Sequence, residues 1–80
     1  MAEETDGAEL RVERSVREAC PGRAAAVLAR LYASLTPAAA ELWLAGQDPH
    51  LHARPIDVLR IDGPGPIFTA LNALDEGAYE

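Results

Sequence analysis

Apolar residues recur along this chain with the spacing of helices and nowhere with the alternation of strands. Val12, Val16 and Ala19 fall on one stripe of a helix predicted over 9–19, with Glu13 and Arg17 as a favourable i,i+4 pair. The acidic residues before it, 1–8, read as a frayed start. Pro21-Gly22 breaks the pattern. A second helix is predicted over 23–35, with Ala24, Val27, Leu28, Leu31 and Leu35 on one face and Arg30 and Ser34 pointing away. Thr36-Pro37 is a restart signal, since Thr36 can cap and proline suits the first helical position. The helix that follows, 37–45, is of another kind. Its only charged residue is Glu41, and Leu42, Trp43 and Leu44 point in three directions about the axis. Such a helix is buried on several sides or lends one side to another chain.

Gly46 is the expected terminator of that helix. The stretch 47–54 has no apolar period and contains Asp48-Pro49, so an ordered loop is expected. Pro55 opens a short helix through Arg60 that buries Ile56 and Leu59. After the rigid turn Asp62-Gly63-Pro64-Gly65-Pro66, a last helix is predicted over 66–76. It turns Ile67, Ala70, Leu71 and Leu74 inward and Thr69, Asn72, Ala73 and Glu76 outward, with Gly77 as the left-handed residue beyond its end. The predicted fold class is all-α, a small bundle of four to five short helices.

Composition narrows the picture. Eighty residues make one domain at most, and a chain this short buries only about 60 % of its unfolded surface. With 49 % hydrophobic and 25 % charged residues, the chain has the material of a folding sequence rather than a disordered one. Thirteen acids against seven bases leave a formal charge of −6, which speaks against nucleic-acid binding and suits a basic partner surface. All seven bases are arginine. The N-terminus lacks the apolar segment of a signal peptide and no run reaches membrane-spanning length, so a cytoplasmic protein is expected.

Candidate chemistry is thin. Cys20 is the sole cysteine, which excludes an intramolecular disulfide and reads as an inert thiol. His50 and His52 share a loop without a third ligand, so no metal site is expected. Ser15, Cys20 and Ser34 sit in helical segments with no surrounding catalytic motif. Gly63-Pro64-Gly65 fails as a phosphate loop because proline removes the backbone donors such a loop needs. Neither an enzyme nor a cofactor is expected. Trp43 reads either as a core anchor or as an interface anchor. The C-terminal acids carry more information. Asp75 and Glu76 sit where the helix macrodipole disfavours negative charge, and Glu80 adds to them. They are either a solvated acidic tail or acids neutralised by a cationic pocket of a partner.

Five elements follow one another from Glu41 onward: Trp43-Leu44, then Asp48-Pro49-His50-Leu51, then Arg54-Pro55-Ile56-Asp57-Val58-Leu59, then Asp62-Gly63, then Leu71 through Tyr79 with an acid and glycine at the helix end. In order and spacing, over about half the chain, they resemble the toxin-binding domain of Xre/MbcA/ParS-type antitoxins. The turn Gly63-Pro64-Gly65-Pro66 departs from the usual helix-friendly start and shortens the last helix. The family also commonly carries an N-terminal helix-turn-helix, and the residues before Thr36 are too few for it.

The resemblance implies a bacterial antitoxin of a type II toxin–antitoxin system. Its partner would be a RES-domain toxin that degrades NAD by phosphorolysis or hydrolysis. The antitoxin's C-terminal segment would cover the toxin's active site, in a hetero-oligomer with or without antitoxin self-association. Residues 23–80 would form the toxin-binding domain, and 1–22 an acidic tail and short helix left over from a helix-turn-helix region. The toxin-binding set so implied is Trp43, Arg54, Thr69, Asn72, Asp75, Glu76, Gly77, Tyr79 and Glu80. Two other readings stand beside it. One is a DNA-binding autorepressor using Arg11, Arg14, Arg17 and Arg23, although Glu9, Glu13 and Glu18 are interleaved with them. The other is a standalone protein that homodimerises through the apolar helix 37–45.

Overall fold

In a computed structural model, residues 2–77 are described, with side chains from Gly7 onward. They form an all-α bundle of α1 (Ala2–Ala19), α2 (Ala24–Ser34), α3 (Pro37–Ala45), α4 (Pro55–Asp62) and α5 (Gly65–Asp75), with a 3₁₀ turn at Pro21–Arg23 between α1 and α2. Among the described residues the only extended pairing is an isolated bridge between Asp48 and Ala53.

The predicted stripes become one core. Val12 and Val16 of α1 meet Ala24, Val27 and Leu31 of α2, Ala40 and Leu44 of α3, Leu59 of α4, and Ile67 and Leu71 of α5. α1 is the central strut, packing on α2, α3 and α4, while α5 closes the other side against α2 and α4. Leu28, Leu35, Ile56 and Leu74 pack at the margin of this core rather than inside it.

Three starts and stops follow the expected chemistry. The Thr36 hydroxyl accepts the Ala39 N–H at 3.2 Å, and Pro37 opens α3. Gly77 has φ 73°, the left-handed residue just past α5. Gly63 has φ 86° and ψ −171°, a region that side chains essentially exclude. It lets the chain reverse from α4 into α5.

Four expectations need correction. The frayed start over 1–8 is instead helix: α1 begins at Ala2. Ala8 sits one turn before Val12 on the same stripe and is buried, which carries the core-facing side of the helix further toward its start. Ala73, placed on the outward stripe of the last helix, is buried, because α5 is covered by both α2 and α4 and a single narrow stripe is not enough. Gly46 does end α3, but in extended backbone with φ −93°, so no left-handed turn is used there. Finally, Arg30 and Ser34 do not point into solvent; they reach across to α5.

Candidate partner-binding surface

The residues singled out by the resemblance fall in separate places. Trp43 is half-buried on α3, and its indole Nε1 donates to Asp48 Oδ2 at 2.9 Å. The other carboxylate oxygen of Asp48 accepts the backbone N–H groups of His50 (2.7 Å) and Leu51 (3.1 Å). Asp48 is only 2 % exposed, and its backbone also receives the amides of Leu51 and His52 while donating to Ala53. This one aspartate therefore ties α3 to the loop and shapes the loop around itself. It holds His52 at φ 58°, a conformation that costs an L-residue roughly 1–2 kcal/mol. Trp43 is thus a structural anchor whose outer face remains partly open.

Arg54 ends the loop and pairs with Asp57 in the first turn of α4, at 2.8 and 3.1 Å. The hydrogen bonds from Arg54 hold the Asp57 carboxyl below its ordinary range and raise the guanidinium in turn. Arg54 borders a depression shared with Arg11 and Glu41. Those two residues join α1 to α3 through a two-pronged ion pair, with Nη2 to Oε1 at 3.1 Å. Glu41 is held low by its hydrogen bond from Arg11.

On α5 the structure overturns part of the electrostatic reading. Asp75 does not present an uncompensated charge. Its Oδ2 accepts from Arg30 Nη2 and from the Ser34 hydroxyl, both at 2.9 Å. Arg30 also donates to Asn72 Oδ1 at 2.7 Å and to Ser34. The Ser34 hydroxyl and then the Arg30 guanidinium hold the Asp75 carboxyl below its ordinary range. The penalty for an acid at a helix C-terminus is offset within the chain, by a cation from α2. Glu76 is exposed and makes no side-chain contact of this kind among the described residues. Tyr79 and Glu80 lie outside the described residues.

Thr69 stands on the outer side of α5, its hydroxyl donating to Gly65 O at 3.3 Å. It borders a hollow of about 330 Å³ with His50, Leu51, Val58, Asp62 and Pro66. Elsewhere, among the described residues, the large exposed apolar side chains are Leu10, Leu42 and Ile61. Leu42 is 75 % exposed, so α3 is covered on two sides and open on the third. Its outward residues, Ala38, Leu42 and Ala45, bear no charge.

Among the described residues no group of three or more His, Cys, Asp and Glu side chains could hold a metal ion. Among the described residues no helix is long and apolar enough to cross a membrane. Cys20 is a partly buried free thiol. No family model, curated protein or solved structure matches the chain.

Proposed function

We propose that this chain is the toxin-binding domain of an antitoxin, a small helical module that binds a RES-domain toxin and stops it consuming NAD. The observation that carries the reading is the outer edge of α5. Thr69, Asn72 and Glu76 are exposed along it, and left-handed Gly77 follows. The first four elements of the resemblance fall on α3, the Asp48 loop, α4 and the Gly63 turn in order, and the fifth begins on the last turns of α5. Because Asp75 is satisfied by Arg30 and Ser34, the anionic role at the toxin passes to Glu76 and Glu80. Carboxylates there would occupy the space in which the toxin's basic residues hold NAD phosphates.

Truncation tests this division of labour. A chain ending at Asp75 keeps the Arg30–Asp75 pair and should keep its helical circular dichroism. It should nevertheless fail to protect cells from the toxin, or NAD from depletion. Full protection by the truncated chain would refute this mode of inhibition.

A second reading, homodimerisation through α3, is favoured by the exposed, uncharged stripe of Ala38, Leu42 and Ala45. Solution mass separates the two. For the autorepressor reading, Arg11 is paired with Glu41 and Arg17 with Glu13, so two of the four arginines of the proposed basic edge are neutralised within the chain.

A further inference from the structure

Both α4 and α5 end on an aspartate, and the fold treats the two differently. Asp75, at the end of α5, is met by Arg30 and Ser34. Asp62, at the end of α4, has no such partner among the described residues. Arg60 cannot serve it, because a residue two places away projects from another side of the helix and Arg60 donates to Asp57 instead. The last carbonyls of α4 add partial negative charge at the same place.

Asp62 is itself exposed. It borders the 330 Å³ hollow between the Asp48 loop, α4 and the start of α5. The Asp48 clasp fixes the backbone of His50 and Leu51 on one wall. The imidazole of His50 has no hydrogen-bond partner among the described residues. Thr69, its proton directed to Gly65 O, keeps a lone pair free to accept. Leu51, Val58 and Pro66 supply apolar wall.

We propose that this hollow receives an arginine side chain of a partner protein, with Asp62 as the counter-ion. A planar guanidinium suits the place better than an ammonium. It offers five donors in a fixed fork to the Asp62 carboxylate and the Thr69 hydroxyl, and its faces tolerate apolar walls. The stem of the side chain covers Leu51 and Pro66. The proposal extends the toxin-binding reading, since Thr69 belongs to both surfaces. It also places a second anionic contact well before the C-terminus, on an element that truncation at Asp75 leaves intact.

The probe is N-acetyl-arginine N-methylamide, titrated into the ¹⁵N-labelled full chain and followed by amide chemical shifts. N-acetyl-citrulline N-methylamide serves as its uncharged isostere. The arginine probe should give saturable shifts confined to the amides around His50, Asp62 and Thr69, with a dissociation constant in the millimolar range expected for one side chain. Binding should weaken about tenfold with citrulline or in Asp62→Asn. Glu18→Gln, which removes an exposed acid on α1, should leave the curve unchanged. Equal binding of citrulline, unaltered binding by Asp62→Asn, or shifts spread over all the exposed acids would overturn the proposal. No toxin enters this assay. Arginine binding without toxin neutralisation would therefore sink the functional reading alone, and neutralisation without arginine binding would sink the socket alone.

Discussion

Replacing Asp48 should cost this small protein much of its stability, and the pattern of the loss can be worked out atom by atom. The Asp48 carboxylate accepts three N–H groups, Trp43 Nε1 through one oxygen and His50 and Leu51 through the other. Hydrogen bonds to a carboxylate contribute roughly 1.5–3 kcal/mol each when buried, less where water can replace the lost partner. His50 is exposed and Leu51 and Trp43 are partly so, which puts Asp48→Ala at about 2–4 kcal/mol rather than the full sum. A domain of this length has a total stability of roughly 4–12 kcal/mol, so at least about a sixth of it is at stake. Asp48→Asn separates the two halves of the clasp. Its single carbonyl oxygen can keep the His50 and Leu51 amides, but its NH₂ then faces the Trp43 N–H, donor against donor. That change should cost about 1–2 kcal/mol, and most of it should vanish in the Trp43→Phe background, where the indole donor is absent. Urea unfolding followed by far-ultraviolet circular dichroism measures all four members of the cycle without depending on Trp43 fluorescence. Additive losses from the two substitutions, or an Asp48→Ala variant within about 0.5 kcal/mol of the parent, would refute the clasp.

Other consequences are checked as directly. Gly63→Ala should destabilise by about 1–3 kcal/mol. A Cβ there meets nothing within 4 Å, so the whole cost is backbone strain, and a D-alanine at the same position introduced by chemical synthesis should be tolerated. Leu31→Ala, at a fully buried position, should lose about 2–5 kcal/mol in urea melts, whereas Leu42→Asp, on the open side of α3, should change stability by no more than about 0.5 kcal/mol. If α3 mediates a homodimer, Leu42→Asp should also halve the solution mass. Glu41, Asp57 and Asp75 have carboxyls held below their ordinary range. Their contribution is therefore present at neutral pH and is lost as the pH falls through the lowered folded-state values. Stability should be flat down to about pH 5 and decline mainly below about pH 4. Arg30→Gln should weaken that acid-side decline, and an unchanged profile would contradict the Asp75 assignment.

Where the sequence was legible, the physics was local. The i, i+3, i+4 spacing of Val27, Leu31 and of Ile67, Ala70, Leu71 is a property of single helices, and Thr36-Pro37 and Gly77 act on their own turns. The parts that could not be read join residues far apart in the chain. Arg30 and Ser34 find Asp75 only because α2 and α5 pack side by side, more than forty positions apart in sequence. Arg11 reaches Glu41 across thirty positions. Asp48 is intermediate: an aspartate followed by proline marked a turn, but only the fold shows that Trp43, one helix-end earlier, supplies its third donor. The same limit explains the revised view of the C-terminal acids. Helix position alone marked Asp75 as unfavourable, and nothing within its own helix disclosed the cation that neutralises it. Asp62 ends α4 in the same way, but its sequence context, Asp-Gly-Pro-Gly-Pro, reads as a turn beyond Arg60 rather than as a helix end.

The central claim is that this chain is a binding module that silences an NAD-consuming toxin. Its most direct test purifies the product of the neighbouring reading frame and measures NAD loss as the full chain is titrated in. The account predicts that NAD consumption falls to background at a defined molar ratio and that the two proteins elute as one complex. Undiminished NAD consumption in the presence of excess folded chain would contradict it.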